Sequence, residues 1–157
     1  MRMGIGFDTH AFDSARPLVL GGVTIPGAQG LAGWSDADVL SHAVADALLG
    51  AAALGDLGVH FPESQVPEGV SSMEILRRTS ELLAEAGYSI VNIDSTVIAQ
   101  SVPVAPHCVA IRSKIALALG IEEGRVSVKA TTTDKLGFAG RGEGIAAIAV
   151  VGIELHQ

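Results

Sequence analysis

MRMGIGFDTHAFDSARPLVLGGVTIP, Met1 to Pro26, is the stretch whose reading decides the fold. Met1 to Phe12 reads as a half-buried strand, and Pro17 to Pro26 as a second strand bent at Gly21-Gly22. Strands this close in the chain favour antiparallel pairing. Helices and further strands are interspersed after them, so the class is α+β rather than a purely parallel α/β sheet. Within the first strand, GFDTHAF (Gly6 to Phe12) sets Asp8 and His10 two residues apart and therefore on one face. A carboxylate and an imidazole side by side can share a proton, or they can share a metal.

Beyond this pair of strands, GAQGLAG (Gly27 to Gly33) reads as a glycine-rich loop. Ser35 is placed to cap a long helix from Asp36 to about Leu54. GDLGVHFPESQVPEGV (Gly55 to Val70) reads as a loop. Ser71 and Glu74 have capping-box spacing, so a helix is expected from Ser72 to Ala86, stopping at Gly87. A strand from Tyr88 to Gln100 follows, then the rigid loop SVPVAP and a third helix from Pro106 to Leu119, ended by Gly120. Strands are expected over Arg125 to Thr132 and Ile145 to Leu155, with the glycine-rich TTDKLGFAGRGEG between them. No repeat or linker divides residues 1–157, so one domain is expected.

Apolar residues make up 48% of the chain and mean hydropathy is +0.44, enough for a full core. Aromatics are only 4%, so that core is aliphatic. An apolar chain this short suggests that some surface is hidden in an oligomer. The net charge of -7 argues against nonspecific nucleic-acid binding through phosphates. It does not argue against a phosphorylated small molecule, because a metal or a few local cations can supply positive charge. Cys108 is the single cysteine, so no disulfide can form within the chain, which suits a cytoplasmic protein. No signal peptide and no membrane-spanning run is expected.

On the helix SDADVLSHAVADALLGAAAL, Asp38, His42 and Asp46 interrupt an apolar pattern at i, i+4 and i+8. One reading is a solvated face. The other joins His42 to Asp8 and His10, because two imidazoles and a carboxylate form a zinc set that leaves the fourth position open. Asp38 or Asp46 could then hold the other ring nitrogen of His42. His60, His107 and His156 read as exposed or structural. KATTTDKLGFAGRGEG (Lys129 to Gly144) also has two readings. It is either an ordinary strand, polar turn and return, or an anion site in which threonine hydroxyls and turn amides meet phosphate while Asp134 holds magnesium.

GFDTHAF, GGVTIP, SDADVLSHAVADALLGAAALGDLG, FPE, IAQ and KATTTDKLGFAGRGEG occur in this order. Together they resemble the 2-C-methyl-D-erythritol 2,4-cyclodiphosphate synthases of the non-mevalonate isoprenoid pathway, from Met3 to about Leu155. The resemblance implies a mixed sheet covered by about three helices, with a ferredoxin-like βαβ arrangement. It implies a homotrimer with active sites between neighbouring subunits. The implied reaction is conversion of 4-diphosphocytidyl-2-C-methyl-D-erythritol 2-phosphate to the cyclic diphosphate with release of CMP. Other uses of such a site are a metal-dependent phosphohydrolase and a non-catalytic binder of isoprenoid diphosphates.

By this resemblance Asp8, His10 and His42 hold zinc or another divalent transition metal, and Asp134 holds magnesium or manganese. Thr132 steadies the transition state, and Trp34 stands where many relatives place a histidine beside Ser35. Substrate contacts are implied for Asp8, Thr9 and His10, for Asp56, Leu57 and Gly58, and for Phe61, Pro62, Glu63, Ser64 and Gln65. The cytidine and diphosphate pocket is implied at Ala99, Gln100, Ser101, Val102, Pro103, Val104 and Ala105, with Ala130, Thr131, Thr132, Thr133 and Asp134. Phe138, Arg141 and Glu143 match residues lining a central trimer cavity that in relatives can hold an isoprenoid diphosphate. Relatives carry lysine at Pro103, glutamate at Asp134 and aspartate at Glu63.

Overall fold

β1 (Arg2–Leu20) is longer than the sequence suggests, and the expected break after Phe12 is a bulge within it. In a computed structural model that describes residues 1–156, β1 turns back through Gly21 and Gly22 into β2 (Val23–Leu31). Both glycines have positive φ, +53° and +74°, and Leu20 pairs with Val23 across them. They are therefore the two-residue corner of a hairpin, not a bend inside one strand. Most of the stretch expected as a glycine-rich loop belongs to β2, because β1 offers it a partner as far as Phe12, opposite Leu31. Register shifts on both sides of Pro17 absorb the extra residues.

After the hairpin come α1 (Val39–Ala52), the single-turn α2 (Leu57–His60), α3 (Ser72–Glu85) and β3 (Tyr88–Ile98). A 3₁₀ turn at Ala105–His107 leads into α4 (Cys108–Leu119), followed by β4 (Val126–Thr131), the single-turn α5 (Gly137–Gly140) and β5 (Gly144–Leu155). Three long helices are thus present as expected, and two further turns of helix lie in segments read as loop. Ser71 caps α3 by accepting from the Met73 N–H, and Gly120 ends α4 in the left-handed conformation.

The five strands form one mixed sheet in the order β2-β1-β5-β3-β4. Among the described residues only β3 and β4 run parallel, joined through α4 as one βαβ unit. The first half of β1 pairs with β5, setting Asp8 opposite Ala147 and His10 opposite Ile145, while its second half pairs with β2. α1 lies across β1 and β5, with α3 beside it and α4 beside α3. The core between them includes Leu18, Leu40, Leu48, Ile93, Ile111 and Ile115, all fully buried. Each contributes about 1.5–3 kcal/mol on burial.

Alternation along β1 divides its two faces sharply. Gly4 and Gly6 face α1, and a Cβ there would come within 2.0 and 1.9 Å of the Ala47 and Ala43 carbonyl oxygens. Only glycine admits the helix backbone this close. Asp8 and His10 continue the same row beyond the point where the helix presses on the strand. On the other face Met3, Ile5 and Phe7 are exposed.

Candidate active site

Three side chains from two elements converge on one point. Asp8 and His10 come from β1, and His42 from the first turns of α1. Asp8 Oδ2 lies 2.9 Å from His10 Nε2 and 3.1 Å from His42 Nδ1, and the two ring nitrogens are 3.3 Å apart. Ligand atoms about 2.0–2.1 Å from a tetrahedral ion are about 3.3–3.4 Å from one another, so this triangle is nearly the size a metal requires. Two imidazoles and one carboxylate also suit a divalent transition metal. The three residues could hold one with little rearrangement.

Electrostatics point the same way. Burial works against ionising Asp8, but hydrogen bonds and charge from His10 and His42 outweigh it and hold the carboxyl down to about 2. Burial likewise opposes charging His10, and the Asp8 carboxylate beside it wins, raising the imidazole above its ordinary value. The triad concentrates negative charge next to two rings that a cation would draw together.

Each ring is gripped at its far nitrogen. His10 Nδ1 lies 2.6 Å from the Ala32 carbonyl, which can only accept, so that nitrogen carries a proton and Nε2 is the one that either shares a proton with Asp8 or would give its lone pair to a metal. His42 Nε2 lies 3.0 Å from Ser72 Oγ and 3.1 Å from Ser35 Oγ. Ser72, the first residue of α3, donates its hydroxyl to Asp36 at 2.5 Å.

The expected polar stripe of α1 breaks into three separate roles. Asp38 is not a partner of His42. It is fully buried, caps α1, and accepts from the Gly21, Gly22 and Ser41 N–H groups and the Ser41 hydroxyl. The helix therefore starts at Val39, not Asp36, because Asp38 is engaged in tying α1 to the β1–β2 corner. Asp46 accepts the Leu57 N–H and joins α1 to α2. His42 alone of the three reaches the triad.

A cavity of about 320 Å³ opens on the triad, lined by Asp8, His10 and His42, by Trp34 and Ser35, and by Leu57, Gly58, Phe61, Pro62 and Glu63. Asp56 does not line it but caps α2, accepting from the Val59 N–H. Thr9 faces away, donating to the Ile145 carbonyl. Ser64 and Gln65 do not line this cavity. The Trp34 indole N–H, a candidate donor to phosphate, is engaged by the Val66 carbonyl at 3.1 Å and latches the 61–70 loop over the cavity. Arg16, which belongs to no motif, clamps the neighbouring turn by donating to the Gly33 and Ser35 carbonyls.

The second group of expected residues assembles elsewhere. The Ala99 N–H donates to the Thr131 carbonyl, and Gln100 Oε1 accepts the Lys135 N–H at 2.9 Å. These bonds bring the 99–105 and 130–135 segments together. Asp134 and Lys135 both have positive φ, +51° and +66°, and the Asp134 N–H donates to Thr132 Oγ1. Thr131, Thr132 and Asp134 are exposed, and none lines the triad cavity. Phe138 lines a separate apolar cavity of about 160 Å³ with Phe7, Ile98 and Thr133. Arg141 forms an exposed two-bonded pair with Glu143.

Known proteins resemble this chain over nearly its whole length. It is 56% identical over 155 residues to the 2-C-methyl-D-erythritol 2,4-cyclodiphosphate synthase of Syntrophomonas wolfei subsp. wolfei, covering 98% of this chain and 99% of the relative. The protein of that name from Marinobacter nauticus is also 56% identical, with 98% of each covered. Among solved structures, the bifunctional IspDF of Campylobacter jejuni matches with a TM-score of 0.95 at 43% identity. That match covers 99% of this chain but only 42% of the larger protein. A CDP complex of Plasmodium falciparum IspF matches with a TM-score of 0.86 at 32% identity, covering 99% of this chain and 97% of that one. The YgbB family model spans residues 1–154, and the chain belongs to the YgbB family.

Proposed function

We propose that this chain is an enzyme that converts 4-diphosphocytidyl-2-C-methyl-D-erythritol 2-phosphate to 2-C-methyl-D-erythritol 2,4-cyclodiphosphate. The carrying observation is the convergence of Asp8, His10 and His42 at 2.9–3.3 Å within a chain whose relatives bear that activity's name. The 2-phosphate oxygen forms a bond to the β-phosphorus. The bond from that phosphorus to the bridging oxygen breaks, and CMP leaves with the electron pair. Nucleophile and electrophile belong to one molecule, so no covalent enzyme intermediate is needed.

The protein's task is to fold a flexible anion into a ring-closing pose and keep water out. Asp8, His10 and His42 would hold a zinc ion and Asp134 a magnesium or manganese ion, which would supply Lewis acidity and positive charge to the phosphates. The Asp56, Leu57, Gly58 turn and the Phe61 to Gln65 segment bind the methylerythritol phosphate half near the triad. Ala99 to Ala105 and Ala130 to Thr133 receive the cytidine and diphosphate. Thr132 donates a hydroxyl hydrogen bond to the reacting phosphorus centre. Trp34 orients the substrate phosphate once the Val66 carbonyl releases its N–H.

Oligomerisation belongs to the same reading. The triad cavity and the threonine turn are separate sites on one chain, and a homotrimer would join them across a subunit boundary. The bare face of β1, with Ile5 72% and Phe7 55% exposed, supports burial against copies of this chain. Phe138 and Arg141 then line a central cavity able to take an isoprenoid diphosphate. The ferredoxin-like βαβ reading draws its support from β3–α4–β4. We take residues 1–157 as one such domain, working in the cytoplasm. No described helix is long and apolar enough to cross a membrane.

The test is phosphorus NMR of purified protein with the cytidyl substrate, zinc and magnesium, on a sample whose mass is read by light scattering. Cyclic diphosphate and CMP in equal amounts from a trimer are expected. Inorganic phosphate would mark a hydrolase instead. Intact substrate beside a zinc-loaded trimer would mark a binder that has lost its chemistry.

A further inference from the structure

The two rings of the triad are held in different ways. A main-chain carbonyl fixes His10. His42 depends on side chains alone, and their protons can be followed one by one.

Asp36 Oδ1 accepts the Ser72 hydroxyl at 2.5 Å, and its Oδ2 accepts the Ser72 main-chain N–H at 2.9 Å. A carboxylate has no proton to return, so the hydroxyl hydrogen of Ser72 is committed to Asp36. The oxygen of Ser72 can then only accept from His42 Nε2, 3.0 Å away. That puts a ring proton on Nε2 and makes Nδ1, the atom facing Asp8 and His10, the nitrogen whose lone pair a metal would take in place of the contact it makes with Asp8 Oδ2 at 3.1 Å. Ser35 cannot enforce this alone. Its oxygen accepts the Ala37 N–H, but its own hydrogen has no partner that fixes it, so it can either donate to Nε2 or accept from it. Ser72 is fully buried, which keeps water from replacing it.

We propose that Asp36 and Ser72 act together as positioning residues for His42, setting its tautomer and ring orientation so that Nδ1 is presented as a metal ligand. The inference rests on the metal reading of the triad given above. Neither residue touches the triangle itself. Their connection also ties the metal position to the N-terminus of α3, an element that contributes no ligand.

Two conservative variants test it. In Asp36→Asn one oxygen is replaced by a donor. If the amide oxygen accepts the Ser72 N–H, the NH2 donates to Ser72 Oγ and turns that hydroxyl toward Nε2; if the oxygen keeps the hydroxyl, the NH2 faces the Ser72 N–H, donor against donor, and the contact is pushed apart. In Ser72→Ala the acceptor is removed outright. Zinc affinity, measured by chelator competition on each folded, metal-stripped protein, should fall about 10–100-fold in both. Ser35→Ala should fall less than Ser72→Ala. In the zinc-loaded parent, imidazole ¹⁵N signals should report His42 protonated at Nε2 and metal-bound at Nδ1. A parent that binds zinc, with both variants within about threefold of it, would overturn the positioning role and leave the metal reading standing. Metal on Nε2 would overturn it equally. A parent with no measurable zinc affinity would overturn the metal reading, and this inference with it.

Discussion

The triad and the threonine turn are built in opposite ways. His42 lies more than 30 positions along the chain from Asp8 and His10, and β1 and α1 meet there over a packed core. Ala130 to Asp134 are consecutive, lie at the end of an edge strand, and are mostly exposed. The side chains of His10 and His42 are only 18% and 12% exposed. The first site carries its geometry within the fold. The second presents hydroxyls and amides on a tight, exposed turn. A site assembled from long-range contacts fails when the fold shifts, whereas one assembled from a turn fails when its covering is lost.

The most severe way to probe that contrast is to remove one ligand from each end. His42→Ala should abolish stoichiometric zinc binding, while Asp134→Ala should leave zinc content at the parent's level, as read by metal analysis of dialysed protein. Equal zinc in parent and His42→Ala would remove the basis for separating the two ends. Next in size is Gly6→Ala. Its methyl would meet the Ala43 carbonyl at 1.9 Å, a contact no side-chain rotation relieves. We expect a loss of at least about 3 kcal/mol in urea unfolding, together with weakened zinc binding as α1 is forced off β1. A stable variant with unchanged zinc affinity would mean that the helix position does not set the triad.

The smallest effect concerns protons. In metal-stripped protein Asp8 is held at about 2 against an ordinary 3.8, so its ionisation adds stability above about pH 4 that is lost as pH falls through 2. The size is on the order of 2 kcal/mol. His10 is raised above its ordinary 6.5, so its contribution is full below that value and is lost as pH rises through its shifted one. Thermal melts with chelator present should therefore be highest between about pH 4 and 6 and decline on both sides. Zinc should erase the alkaline decline, because it takes the place of the shared proton. A melting temperature unchanged from pH 6 down to 2.5 would contradict this account of the triad.

Much of this was legible in the sequence because it depends on local rules. Period-two spacing put Asp8 and His10 on one face. Ser71, Gly87 and Gly120 marked helix ends by their capping chemistry. The residues that no local rule marks act over long separations. Nothing in the sequence distinguishes Asp38 as a buried cap from Asp46 as a tether, since both sit at helical spacing from His42. Their roles come from Gly21, Gly22 and Leu57, which the fold alone brings near. Ser72 stands 30 residues from His42 and reads as an ordinary first residue of a helix. The length of β1 was missed for a related reason. Pro17 looked like a strand start, whereas it sits at a bulge that lets a single strand serve two ladders.

The contact of Gly4 and Gly6 with α1 has a mechanical consequence. With main chain resting on main chain, the helix is already at its closest approach to the strand. Substitutions in the aliphatic layer around Leu40 and Leu48 can shift α1 in one sense only, outward. The distance from His42 to Asp8 therefore has a hard lower stop and a soft upper side. Random drift in the core will widen the metal triangle far more readily than it narrows it.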